Sequence, residues 1–151
     1  MLKKIILIVF CLNFLQGCGF VPMYSTKTQF KMNIEKIDFS GDWELNNLIR
    51  DSLKKYKTNE GKKYTLKINT IYTKNSTTKD GAGNTATYQI DIDTNINVTT
   101  TDLEKNFFFK EKFTMENFSD ELSQKNYESS NKLNVANSIV NKLMMQMLFL
   151  Q

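Results

Sequence analysis

Cys18 is the residue in this chain whose surroundings specify a reaction most plainly. It directly follows Leu15-Gln16-Gly17. Gly17 is the small residue that a signal peptidase needs before the scissile bond. A thiol one position on can accept a diacylglyceryl group, and cleavage between Gly17 and Cys18 then frees an amine for a further acyl chain such as palmitate. Upstream, Lys3 and Lys4 form a positive head, and Ile5 to Phe14 is an apolar run broken by Asn13. The run is too short to span a bilayer and has the layout of a secretory signal. Each buried methylene contributes about 0.8 kcal/mol, so two or three acyl chains hold a protein far more firmly than one. The competing reading is a plain signal peptide with a coincidental cysteine. Charge, run length, small residue and cysteine together favour a bacterial lipoprotein.

The rest of the composition removes most catalytic chemistry. There is no histidine, so Ser-His-Asp and Cys-His arrangements and the usual zinc ligands are absent. Cys11 leaves with the signal and Cys18 carries lipid, which leaves no pair for a disulfide in the mature chain. The formal charge of +4 includes Lys3 and Lys4, so the mature chain is only mildly basic and gives no argument for nucleic acid. Asp91 and Asp93, with Asn95 and Asn97, could make a calcium ladder. Strict alternation accounts for them as the wet side of a half-buried strand, and no metal is expected. Asp120 and Glu121 are adjacent loop carboxylates with no apolar pocket signalled around them, so a hydrolase is the weakest reading.

Binding chemistry is better represented. Phe107-Phe108-Phe109 breaks the alternation of its strand, and one helix layer cannot bury all three rings. Phe108 must face solvent, the tether or a partner, and with outward Lys110 and Lys112 it offers an aromatic and basic patch. That patch suits an anionic amphipathic lipid or a barrel wall. Lys74 and Lys79 fall in a Thr/Ser/Gly-rich stretch read as the tip of a hairpin, where they could meet phosphate groups as point charges.

The elements that must position these residues follow from periodicity. Residues 1–17 are read as lipoprotein signal peptide, 18–29 as lipidated tether and 30–151 as one folded domain. Lys31 to Phe39 reads as a strand with Met32 and Ile34 on one face and Ile37 and Phe39 on the other, a parity switch that implies a bulge near Glu35-Lys36. Asp42 is a candidate N-cap for a helix to about Tyr56, with Leu45, Leu48, Ile49, Leu53 and Tyr56 inward and Trp43 as a lid on that stripe. Tyr64 to Tyr72 alternates as a strand, and Asn75 to Asn84 reads as loop with a turn at Asp80-Gly81. Thr87 to Thr99 is an unusually long strand, so its hairpin is expected to project beyond the sheet. Phe107 to Phe118 follows with Phe107, Phe109, Phe113 and Met115 inward. Last comes a helix from about Glu128 to Phe149, with Leu133, Ala136, Ile139, Val140, Leu143, Met144, Met147 and Leu148 on its apolar face. The order β-α-β-β-β-α predicts an α+β two-layer sandwich: a four-stranded mixed sheet with two helices packed on one face.

Taken together, Cys18-Gly19-Phe20-Val21-Pro22-Met23-Tyr24 resembles the Cys-Gly-Phe-x-Pro-x-Tyr start of the lipopolysaccharide-assembly lipoprotein LptE family, in its alphaproteobacterial form. Length, element order and the long final helix are similar too. Only Leu15 to Tyr24 is motif-like, and abundant Asn and Lys depart from Arg- and Ala-rich relatives. The resemblance implies an outer-membrane lipoprotein, facing the periplasm, that plugs the lumen of the barrel LptD. It also implies help with barrel assembly and with lipopolysaccharide delivery to the outer leaflet. Gly19 after the lipidated cysteine is compatible with outward sorting. No enzyme activity and no cofactor beyond the covalent diacylglycerol and N-acyl lipid on Cys18 are implied. The family offers no position-by-position motif for lipopolysaccharide contact, so Lys74, Lys79, Phe108, Lys110 and Lys112 rest on their own chemistry. The alternatives are an accessory lipoprotein of another envelope machine and a periplasmic lipid-binding lipoprotein.

Overall fold

The computed structural model describes residues 30–149. The signal segment 1–17, the cleavage pair Gly17 and Cys18, and the tether 18–29 lie outside the described residues. Within them the order is β1 (Asn33–Gly41), α1 (Trp43–Leu53), β2 (Lys63–Lys79), β3 (Thr85–Thr99), β4 (Glu104–Glu116) and α2 (Glu121–Leu148). The strands form one sheet in the order β1-β2-β3-β4. β1 runs parallel to β2, and the other neighbours are antiparallel. This is the expected mixed sheet with both helices on one face.

Alternation decides which face they cover. Leu66 and Ile68 on β2, Ile90, Ile92, Ile96 and Val98 on β3, and Phe107, Phe109 and Met115 on β4 are buried beneath Leu45, Ile49 and Leu53 of α1 and Ala136, Ile139, Val140 and Leu143 of α2. A period of two on the strands meets a period of 3.6 on the helices, and one apolar layer results. The expected bulge exists: Ile34 lies opposite Tyr64, Lys36 opposite Thr65 and Ile37 opposite Leu66. The skipped residue, Glu35, returns Ile37 and Phe39 to the inner face on which Ile34 sits, so the two pairs share a side.

β1 runs two residues past Phe39 and ends on Gly41, whose φ of 87° turns the chain into the helix. A Cβ there would stand 1.8 Å from the Thr70 carbonyl oxygen, so only glycine fits. That oxygen accepts the Asp42 N–H at 2.9 Å. Asp42 in turn caps α1, its Oδ1 accepting the Leu45 N–H at 2.8 Å. The helix gives way to a 3-10 turn over Lys54–Tyr56, one turn short of the expected helix end. Trp43 is not a lid; it is 78% exposed. It stands two residues before Leu45, about 200° around the helix, and therefore points away from the sheet.

Two further boundaries differ from expectation. β2 continues to Lys79 where a loop was expected. Thr77 and Thr78 lie 2.8 and 2.6 Å from the Thr87 hydroxyl, and Ser76 3.0 Å from that of Thr85. A Thr-rich ladder with no fully buried side chain carries no hydrophobic alternation, yet β-branched residues suit it. α2 starts at Glu121 rather than near Glu128, because Asp120 caps it: its Oδ2 accepts the Ser123 N–H at 2.7 Å. On α2, Leu133 and Leu148 are exposed rather than inward. At the level of Leu133 the inward slot belongs to Lys132.

Candidate functional site

The sheet presents two polar regions of different kinds, one beneath the helices and one on the open face. The first is centred on Lys132, whose side chain is 8% exposed. Its Nζ lies 2.7 Å from Glu44 Oε2 on α1, 3.6 Å from Glu128 Oε1 one turn back on α2, and 4.3 Å from the centre of the Tyr72 ring. Glu128 also accepts the Tyr72 hydroxyl at 2.7 Å and pairs with Lys74 at 2.7 Å. Ser129 donates to Glu44 at 3.1 Å. The hydrogen bond from Lys132 holds the Glu44 carboxyl below its usual range against its desolvation. Burial pushes Glu128 up, but Lys74, Tyr72 and Lys132 together outweigh it and the net shift is downward. Burial, then the bond to Glu128, pushes the Tyr72 phenol upward. Each charge is partnered, as a semi-buried cluster requires.

This cluster changes the setting of Lys74. It lies in β2 rather than in a loop, on the inward parity shared by Tyr72. Its ammonium is held by Glu128 and sits 4.5 Å from the Tyr88 ring centre. Lys79 is the last residue of β2 and borders the turn, exposed, with no ion pair among the described residues. In that turn Asp80 Oδ1 accepts the N–H groups of Ala82 and Asn84 at 2.9 and 2.8 Å. These bonds hold its carboxyl low. The turn is therefore ordered by local bonds while Asn75 to Asn84 stay exposed. The hairpin projects past the packed part of the sheet, as its length implies.

The second region is the open face. Phe108 points outward and is 59% exposed, with the Lys110 ammonium 5.2 Å from its ring centre. Lys110 lies 3.6 Å from Asp93 and Lys112 2.9 Å from Asp91. The carboxylates weighed as calcium ligands thus pair across the ladder with the two lysines weighed as lipid contacts. The Asp91 bond pushes the Lys112 ammonium pKa upward. Nearby, Lys67, Asn69, Asn95, Asn97 and Asn106 line a shallow hollow of about 340 Å³ on the same face. Phe108, Lys110 and Lys112 are therefore one patch; Lys79 is remote from it at the hairpin end, and Lys74 is on the opposite face.

Sequence reasoning missed Lys132 and Glu44. The signal was present: Lys132 falls four residues before Ala136 and seven before Ile139, on the apolar stripe itself. A lysine there needs a carboxylate, and Glu128 stands at i−4.

A four-stranded mixed sheet with its inner face under a helix pair and its outer face open defines a small two-layer α+β domain. No family model matches the chain, and no curated protein matches it. Solved structures do share its fold. A rare lipoprotein B from Shewanella oneidensis aligns at TM-score 0.54 and 15% identity over 76% of this chain and 98% of that one. A lipoprotein B from Nitrosomonas europaea, uncharacterized in function, aligns at 0.52 and 9% over 80% and 88%. A candidate lipoprotein from Caulobacter crescentus aligns at 0.50 and 11% over 76% and 86%. The chain has the fold of these lipoproteins.

Proposed function

We propose that this protein is an outer-membrane lipoprotein of LptE type, acylated on Cys18, that plugs an LptD-like barrel and assists its assembly for lipopolysaccharide transport. The observation that carries the reading is the fold shared with rare lipoprotein B, another name for LptE, over nearly all of that chain. The Leu15-to-Tyr24 segment supports it independently, because fold and N-terminal chemistry arise from separate stretches of sequence. In this reading the acyl chains fix location and the sandwich fills the lumen facing the periplasm. The hairpin tip with Lys79 and the patch of Phe108, Lys110 and Lys112 then meet barrel wall or lipid A phosphates. Lys74 contributes by holding the hairpin to α2 through Glu128.

The open face favours a partner over an internal cargo. Apolar side chains fill the space between sheet and helices, and the hollow lies outside that layer, lined mostly by polar residues with Phe39 and Ile68. That arrangement suits a plug better than a lipid carrier. The test is affinity purification of the intact lipoprotein from gently solubilised envelopes, with mass identification of what accompanies it. A stoichiometric outer-membrane barrel of much larger mass is expected. A free monomer, or a different envelope machine, would overturn the reading.

A further inference from the structure

The domain has two ends, and they expose different chemistry. One end is the polar hairpin turn. At the other, β1 and β2 begin and β3 turns into β4. There the Tyr56 carbonyl accepts the Met32 N–H at 2.8 Å, and the Tyr56 hydroxyl donates to Asn141 Oδ1 at 2.7 Å. α2 continues past this level. Its final turn leaves Met145, Leu148 and Phe149 exposed, Phe149 by 85%. At about 1.5 Å per residue, Phe149 stands roughly 12 Å beyond Asn141 along the helix.

The chain enters the domain at this same end. Phe30 is buried, its ring 6.3 Å from that of Tyr64 at the start of β2. Only residues 19–29 separate it from Cys18, so Cys18 lies within about 43 Å of Phe30 whatever path the segment takes. Lys31, Lys55, Lys57 and Lys105 belong to this end and form no ion pair among the described residues. Lys62 and Lys63 are bridged to Asp102 and Glu35.

We propose that, while the lipoprotein is outside a barrel, this pole rests on the bilayer surface. Met145, Leu148 and Phe149 enter the interface of an anionic phospholipid membrane, and Lys31, Lys57 and Lys105 meet its phosphates. The proposal rests on acylation of Cys18, which brings the pole within reach of lipid. An acyl anchor alone limits distance and leaves orientation free. A second contact of apolar residues with flanking lysines is the usual complement to a lipid chain, and an aromatic ring is well placed at the headgroup level. The consequence is a fixed pose for the lipoprotein while it is outside a barrel, with the hairpin directed away from the leaflet that holds the anchor.

The chain's single tryptophan provides the control. Trp43, at the far end of α1, lies about 30 Å from Phe149 along the helix direction. The full-length lipoprotein is reconstituted into vesicles of phosphatidylethanolamine and phosphatidylglycerol brominated on the upper acyl chain. Wild type is compared with the double variant Trp43→Phe/Phe149→Trp, and Trp43→Phe/Met145→Trp guards against a local packing fault. Interfacial helices sit about 5–10 Å into the headgroup boundary, so indole emission at positions 149 and 145 should fall about twofold and shift to the blue. Emission from Trp43 in the wild type should stay unchanged.

Unquenched indoles at both positions overturn the proposal. A blue shift without bromine quenching would mean that a second copy covers the turn, and overturns it too. Mass measurement of Cys18 on the same sample reads the anchor separately. An acylated chain with bright indoles rejects this pole alone, and an unacylated chain rejects the anchor.

Discussion

Lys132 and Lys112 each have a carboxylate within 3 Å, yet only one of them is withdrawn from water. Lys132 meets Glu44 at 2.7 Å with 8% of its side chain exposed, whereas Lys112 meets Asp91 at 2.9 Å with 69% exposed. The same pair of functional groups therefore has two meanings on the two faces of one sheet. Beneath the helices it joins α1, α2 and β2 and fixes how the helix pair sits on the hairpin. On the open face only the lysine is solvated, Asp91 being 28% exposed, and the pair bridges β3 to β4 without tying a helix to the sheet.

The contrast can be broken from the buried side first. Lys132→Ala leaves Glu44 and Glu128 short of their shared cation. The expected loss is about 2–3 kcal/mol, below the cost of breaking a fully buried pair because Glu44 is partly exposed. Urea unfolding followed by far-UV circular dichroism measures it, and an unchanged midpoint would put the cluster in the class of surface pairs. Acid provides the second test. The folded-state pKa values of Glu44 and Glu128 lie below their ordinary 4.5. Their contribution is therefore present above about pH 4.5 and is lost as pH falls through the lower folded values. The urea midpoint should hold from neutrality to that point and then drop, and Glu44→Gln should remove part of the drop.

Smaller effects are expected away from the cluster. Replacing Asp80 to Asn84 by an Asn-Gly turn keeps Lys79 opposite Thr85 and shortens the exposed connection between β2 and β3. Stability should change by less than about 1 kcal/mol, while barrel co-purification should be lost if the tip is a contact. Lys112→Ala should shift stability by less than about 0.5 kcal/mol. A larger shift would mean that the open face is part of the fold's support rather than a free surface.

Most of the fold was legible because both helices and the half-buried strands write their burial into their period. The bulge is the sharpest case: the step from Ile34 to Ile37 breaks a period of two, and one extra residue is the way to keep both on one face. What could not be read lies where burial leaves no trace. Thr77, Thr78 and Thr87 pair where no side chain is fully buried, so the sequence reads there as loop, with Lys74 drawn into it. Hydrophobicity alone sets Trp43 against the stripe, whereas its angle from Leu45 points it outward. Lys132 escapes notice because a charged residue on an apolar stripe reads as its edge until its carboxylates are known. Phe108, Lys110 and Lys112 were legible as outward residues, but their pairing with Asp91 and Asp93 depends on the β3–β4 register.

The parallel pairing of β1 with β2 has a consequence for the order in which the molecule assembles. β2, β3 and β4 are joined by short turns, so their ladders close between near neighbours in sequence. Asn33 must instead find Lys63, across a helix and a loop, and non-local contacts of this kind form late. β1 is thus expected to be the last strand to join the sheet. Until then β2 offers an unpaired edge. Once paired, β1 is itself the edge of the sheet, and its bulge at Glu35 makes that edge a poor template for a stray strand.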